Sequence, residues 1–312
     1  MESDINSRLH SQICGKLLGD GSFTKQVGRK PRFQYTHKVD DFEWANYCYK
    51  QLKDFIPLSP PKYYRKNDPR VKKGFTECYF VQSKTSPIIT QLDLIWYPKR
   101  KKRIPFNYLD SYFTEESLAW WYQDDGHLKI ENGIHRKIIL STDNFSSYEN
   151  QKLQSLLYDR FSLRFSQDGQ NRLLLYDQTQ MLYFNRLISR YMHPAMKRKI
   201  IKPNQDVAMP PPKISTLYLH NDIFIIMPTY EINKQLNVLP YLLKLIISND
   251  SYINFYKKNI EPLRNPLPNN VYRIALNPQH WCPLNFFKKI TGLTFSNIVN
   301  LCFKIDHKKI PY

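Results

Sequence analysis

The chain has 312 residues, with 46 Lys and Arg against 27 Asp and Glu, a formal net charge of +19. A hydrophobic fraction of 42%, a third of it aromatic, excludes wholesale disorder, and no apolar run approaches the ~18 residues of a membrane span. Five cysteines without a Cys-x-x-Cys pair exclude a zinc ribbon or disulfide scaffold, and the basic excess points to a polyanion, foremost nucleic acid.

The polar first dozen residues resemble neither a secretory signal nor a transit peptide, so a reducing compartment is expected, cytoplasmic or organellar. Three of the nine glycines then fall within seven residues, in Ile-Cys-Gly-Lys-Leu-Leu-Gly-Asp-Gly (13–21). A strand is expected over 32–36, a helix over 42–56, a strand over 74–83 and a helix over 87–96. A basic run, Lys101-Lys102-Arg103-Ile104-Pro105, closes this stretch. The same order then repeats. Leu-Ala-Trp-Trp-Tyr-Gln-Asp-Asp-Gly (118–126) is again apolar and ends in Asp-Gly. Strands follow over 136–142 and 172–176, helices over 148–161 and 180–191, and Lys197-Arg198-Lys199-Ile200 closes the second copy.

Prolines at 203, 210, 211 and 212 mark a boundary. Beyond it a small, mainly helical module is expected over 214–312. Two short strands, 223–227 and 272–276, each precede helical stretches, which is similar to a tandem ribbon–helix–helix unit that reads DNA with a two-stranded ribbon. The domains so defined are 1–105, 106–203 and 214–312.

Asp20 and Asp125 carry the chemistry. A carboxylate in the last turn of a helix faces the negative end of the macrodipole and is unfavourable there. Gly21 and Gly126 behind them are expected to be left-handed helix stops, while Gly15 and Gly19 share one face and permit close helix approach. Two such helices packed side by side bring both carboxylates together, as hard divalent cations require.

The two segments resemble the paired motifs of the LAGLIDADG homing endonucleases, in the single-chain form that carries both copies. The likeness covers about residues 10–203 and includes the Lys-Lys-x-Ile-Pro run at 101–105. It implies an α+β fold of two pseudo-symmetric αββαββα halves, each with a DNA-binding antiparallel sheet and with the motif helices between them. It also implies site-specific cleavage of both strands of a long, asymmetric double-stranded DNA target by a monomer, with Mg²⁺ as cofactor and Mn²⁺ able to substitute. Asp20 and Asp125 match the metal-holding acids, with Gly19 and Asp124 as further positions at the metal. Lys102 and Lys199 match the one lysine per half that approaches the cleavage site. Lys16 stands where the family usually carries an apolar residue. Trp120 and Asp124 stand where Gly15 and Gly19 align, so an asymmetric helix contact is expected.

Arg32, Gln34 and Thr36 alternate with Phe33, Tyr35 and His37, the pattern of a half-buried sheet; Arg and Gln there suit base edges. Lys25, Arg29, Lys30, Arg65, Arg70, Lys72 and Lys73 are expected on DNA in the first half. Lys129, Arg136, Lys137 and Arg172 are their counterparts in the second, with Arg273 in the C-terminal module. Tyr63 and Tyr64 are expected to pack within the sheet. The rival readings are an intron RNA maturase on the same scaffold and a non-catalytic DNA-binding regulator.

Overall fold

The computed structural model describes residues 2–24, 26–202, 214–264 and 269–305. Lys25 and the proline-rich stretch 203–213 lie outside them. The chain divides into two compact units: Met1–Leu157 with Phe165–Leu174 and Ile188–Ile200, and Tyr158–Arg164 with Leu175–Leu187 and Ile201–Tyr312. The second unit therefore reaches back across the proline-rich stretch to take in two pieces of the second repeat. No described helix is long and apolar enough to cross a membrane.

The first repeat runs α1 (Glu2–Leu18), β1 (Ser22–Phe23), β2 (Phe33–Lys38), α2 (Phe42–Leu52), β3 (Lys62–Asn67), β4 (Phe75–Gln82) and α3 (Pro87–Trp96). A connecting helix α4 (Phe106–Tyr112) leads to the second, α5 (Glu115–Asp125), β5 (Gly126–Glu131), β6 (Ile134–Leu140), α6 (Ser147–Phe161), β7 (Ser166–Gln167), β8 (Leu173–Leu175) and α7 (Gln178–Ile188). Both repeats read αββαββα, and their sheets have the equivalent orders β1-β2-β4-β3 and β5-β6-β8-β7. In β2, Phe33, Tyr35 and His37 are buried while Thr36 and Lys38 are exposed, so period-2 patterning alone sets which face meets the core.

In the first unit α1 packs along α5. Gly15 and Gly19 make this possible: a Cβ on Gly15 would lie 2.6 Å from Trp120 Cβ, and one on Gly19 2.5 Å from Asp124 Cβ. The large residues of α5 thus fill the hollows left by the glycines of α1. At the other end of the contact Arg8 and Gln12 donate to the buried Glu116 carboxylate, at 3.0 and 2.8 Å, and Ser11 meets Ser117 at 2.8 Å. Trp44, Trp96, Trp120 and Trp121 are fully buried in this unit.

Gly21 and Gly126 are not left-handed stops. Gly126 has φ −85° and ψ 152°, so α5 passes straight into β5, and Gly21 keeps a negative φ. What each glycine provides is room: a Cβ on Gly126 would lie 2.0 Å from Tyr122 Cδ2, and one on Gly21 2.6 Å from Lys16 O.

The second unit holds β9 (Ser215–His220), α8 (Pro228–Gln235), α9 (Leu239–Leu245), α10 (Asn249–Phe255), β10 (Asn269–Ile274), α11 (Pro278–Thr291) and α12 (Phe295–Lys304). A two-stranded antiparallel ribbon does form, but its first strand is Ser215–His220, not 223–227. The reason is local. Ile226 and Met227 both donate their N–H groups to Glu231 Oε1, at 2.9 and 2.6 Å, so the run before Pro228 caps a helix instead of joining a ladder. The second strand is Asn269–Ile274, slightly ahead of the expected 272–276. Tyr183 stacks on Tyr256 with ring centroids 3.7 Å apart, and Gln180, Tyr256 and Glu261 bond around them.

Candidate functional site

The last turns of α1 and α5 place Asp20, Asp124 and Asp125 in one locality of the first unit. Their three carboxylates differ sharply. Asp124 is fully buried and fully partnered: Lys16 Nζ donates to it at 2.8 and 3.0 Å, Trp44 Nε1 at 2.8 Å and the Asp20 N–H at 3.2 Å. Asp20 lies at the edge, its side chain 32% exposed. Burial pushes its carboxyl up to about 8, with the Asp124 charge adding and Lys16 opposing. Asp125 rises to about 6, again through burial first and the charge of Asp124 second. Burial is the main cause of both shifts, and a bound cation would favour the charged form of each carboxylate. The carboxylates of Asp20 and Asp125 are of the type that could hold a hard divalent ion. Asp124, also expected at the metal, has Lys16 as its partner here.

Lys16 also donates to His37 Nε2 at 2.7 Å. An ammonium only donates, so Nε2 accepts and the ring hydrogen sits on Nδ1, which lies 3.3 Å from Asp20 Oδ2. Burial, then the charges of Lys16 and Lys199, hold His37 well below its ordinary pKa, so the ring is neutral. Burial also acts to lower the Lys16 pKa, but the Asp124 carboxylate, which Lys16 also hydrogen-bonds, acts against it, and the net shift is upward.

The two matched lysines are placed differently. Lys199 Nζ donates to the carbonyls of Tyr122, Gln123 and Asp124, at 3.2, 2.6 and 3.1 Å. It caps the C-terminus of α5, which explains why Gly126 need not turn left-handed. Burial lowers its pKa to about 8, against the opposing pull of Asp124. Lys102 Nζ lies 3.4 Å from Gly21 O and over the Phe145 ring. Gly19 sits where its missing Cβ admits Asp124, as described above.

A cleft of about 870 Å³ opens beside Asp20, lined by Lys38, Lys66, Arg198 and Lys199 together with the acids Asp41, Glu77 and Asp124, and Arg198 is paired with Asp41 at 2.9 Å. Lys38 and Lys66 escaped the sequence reading, although Lys38 merely continues the alternation of Gln34 and Thr36. His37 and Trp44 were missed as polar partners because an apolar or aromatic pattern gives no sign of which ring nitrogen meets a charge. By strand register Gln34, Thr36, Lys38, Lys62 and Lys66 share one face of the first sheet. Arg32, just before β2, bonds Gln82 on that face. Arg65 projects from the opposite face, its guanidinium 3.5 Å from the centre of the Phe75 ring. Tyr63 and Tyr64 are about half exposed on β3; Tyr63 packs edge-on against its cross-strand partner Tyr79, ring centroids 6.0 Å apart, as expected for packing within the sheet.

Arg29, Lys30, Lys72 and Lys73 are exposed in loops, and Arg70 is held by Asp68 at 2.8 Å. In the second repeat Lys129 and Lys137 are cross-strand partners on the face opposite buried Leu128 and Ile138. Arg136 lies 3.5 Å from Glu131, and Arg172 is clamped on Asp168. Arg273 is exposed on β10 of the second unit, paired with Thr216.

This geometry has counterparts. The profile of the LAGLIDADG DNA endonuclease family matches residues 10–184, more than half of the chain. A probable intron-encoded endonuclease 1 of Wickerhamomyces canadensis is 27% identical over 201 residues, covering 61% of this chain and 82% of that protein. The cytochrome b mRNA maturase bI2 of Saccharomyces cerevisiae is 26% identical over 63% of this chain but only 48% of its own length. Among solved structures, the homing endonuclease I-WcaI bound to its DNA recognition sequence shares the fold. Its TM-score is 0.54 at 22% identity, over 62% of this chain and 86% of that one. With both motif helices, both four-stranded sheets and the paired acids inside the matched region, the chain belongs to the LAGLIDADG DNA endonuclease family.

Proposed function

We propose that the protein is a site-specific homing endonuclease that hydrolyses both strands of a long double-stranded DNA target, acting as a monomer with Mg²⁺ held by Asp20 and Asp125. The observation that carries this reading is the state of these two acids. They stand at neighbouring helix ends with carboxyls raised to about 8 and about 6, while the third acid of the cluster already has its cation. When bound, Mg²⁺ would activate water and stabilise the leaving oxygen; Mn²⁺ is expected to substitute.

The remaining work falls to side chains. The outward face of the first sheet offers Gln34 and Thr36 to base edges, while Lys38 and Lys66 hold phosphates beside Asp20. Lys129 and Lys137 do the same in the second repeat. Lys102 stabilises negative charge developing at the phosphate. Lys199 holds the end of α5, and with it Asp125, in place. Arg273 and the C-terminal module add a second contact with the duplex.

The experiment is Mg²⁺-dependent cleavage selection from a randomised duplex library. An enriched long site cut on both strands is expected, and no cut under Mg²⁺ or Mn²⁺ would sink the reading. The resemblance to a yeast mRNA maturase supports a second role, binding intron RNA, which a splicing assay with the chain's host transcript tests directly.

A further inference from the structure

Lys16 has no place in the chemistry described so far, yet its side chain is wholly buried at the centre of the site. Around its ammonium stand the Asp124 carboxylate at 2.8 and 3.0 Å, His37 Nε2 at 2.7 Å, and the rings of Tyr35 and Trp44 at 4.4 and 5.4 Å. Asp20, His37 and Asp124 each offer a ligand atom, all within 4.8 Å of one another, a spacing at which three such groups could hold a metal ion. The ammonium already contacts two of the three. It is the cation of this cluster, tethered to α1 by its own side chain.

We propose that Lys16 is a positioning residue: its buried ammonium takes the inner cation place among Asp124, His37 and Asp20, keeps the first two from binding metal, and leaves Asp20 free to hold the divalent ion. Two links carry the effect to Asp20. Its backbone N–H donates to Asp124 Oδ2 at 3.2 Å, and its side-chain Oδ2 faces the hydrogen-bearing His37 Nδ1 at 3.3 Å. A permanent cation neutralises Asp124 at every metal concentration, whereas a divalent ion there would leave when the metal does. It also bars imidazole from the site. A carboxylate pair alone suits Mg²⁺, while adding a histidine would shift the preference towards Zn²⁺, Cu²⁺ or Ni²⁺.

The inference rests on Asp20 as a metal-holding acid, and the test separates the two. Full-length protein, unaltered and as Lys16→Met, is titrated with Co²⁺, with bound metal counted by equilibrium dialysis and its ligands read from visible absorption. Lys16→Met is expected to take up one more Co²⁺ per chain, with stronger absorption from the nitrogen ligand. The gain should vanish in Lys16→Met/His37→Phe. Equal uptake by folded Lys16→Met and the unaltered chain overturns the proposal. If Asp20→Asn binds as much Co²⁺ as the unaltered chain, the metal reading itself falls instead.

Should Lys16→Met fail to fold, Lys16→Met/Asp124→Leu removes both charges together. DNA affinity in Ca²⁺ is then expected within about twofold of the unaltered chain, with cleavage at saturating Mg²⁺ slower by about tenfold or more as Asp20 loses its anchor. A merely structural pair would leave that saturated rate unchanged, and that result overturns the positioning role.

Discussion

At the end of α1 the chain reads Leu18-Gly19-Asp20-Gly21, and at the end of α5 it reads Gln123-Asp124-Asp125-Gly126. The backbones around them repeat one order of elements and one sheet topology. The side chains do not. On α1 the contact positions are glycines; on α5 they are Trp120 and Asp124, which fill the space the glycines leave. Lys16 of α1 then balances the charge that Asp124 brings into the contact. A symmetric pairing of either helix with its own copy would set Trp120 against Trp120, or leave Lys16 buried without a carboxylate. The difference teaches that a fused pair of repeats can give its two halves unlike, complementary surfaces, which a homodimer of identical halves cannot.

The hardest test of that comparison asks whether the two ends still share one chemistry. Asp20→Asn and Asp125→Asn should each slow cleavage on the order of a thousandfold, because the proposed function puts both acids at the scissile phosphates. DNA affinity in Ca²⁺ should change by only a few-fold, since phosphate contacts dominate it. If only one of the two variants loses activity, under single-turnover conditions with Mg²⁺, the halves are unequal in function as well as in packing.

A smaller effect is expected from breaking the charge pair. Lys16→Met leaves Asp124 buried without its ammonium, and removing one member of such a pair costs about 3–5 kcal/mol. Lys16→Met/Asp124→Leu should cost much less, because no charge is left stranded. Denaturant unfolding of the three proteins measures both. A double variant as unstable as the single one would mean that the loss comes from packing.

These unlike surfaces mark the limit of what the chain disclosed before its structure. Repeat order, the β2 alternation and the placing of Asp20 and Asp125 at two helix ends were legible because they depend on local periodicity and on a motif. The Lys16–Asp124 pair was not, since two separate departures from an apolar pattern became one interaction only when α1 met α5. Gly126 misled for a related reason: the dipeptide resembles a left-handed stop, but the carbonyls such a stop would satisfy are taken by Lys199, far along the chain. The ribbon strand was misplaced because Ile223–Met227 has the right residues for a strand and its backbone donors were claimed by Glu231.

Next in size is the fit of the helices. Gly15→Ala adds a methyl group 2.5 Å from Ser117 O and 2.6 Å from Trp120 Cβ. Neither neighbour is the free end of a flexible side chain, so the helices must separate, at about 1–3 kcal/mol. Gly28→Ala is the control. It meets nothing within 4 Å, and its only penalty comes from φ +72°, about 1 kcal/mol. Because alanine is the better helix former and Gly15 has no positive φ, a Gly15→Ala variant no less stable than the unaltered chain would show that the α1–α5 contact does not require glycine.

The smallest effect separates the two lysines. Lys199 gives its ammonium to three carbonyls at the end of α5, so it holds both the helix terminus and the start of β5. Favourable interaction of a cation with a helix C-terminus is worth up to about 2 kcal/mol when partly buried, and Lys199→Met should lose about 1–2 kcal/mol of stability. The saturated cleavage rate should fall as well, because Asp125 sits on the same turn. Lys102 makes its contact at Gly21 O, beyond the end of α1, and Lys102→Met is expected to slow the chemical step at saturating enzyme. The decisive readout is amide exchange in the last turn of α5, where the Gly126 N–H donates to Tyr122 O. In Lys199→Met that amide should exchange faster than in the unaltered chain by a factor matching the loss of local stability, about tenfold for each 1.4 kcal/mol. Unchanged exchange with a reduced cleavage rate would make Lys199 a participant in the chemistry, and the two ends would then be more alike than their packing suggests.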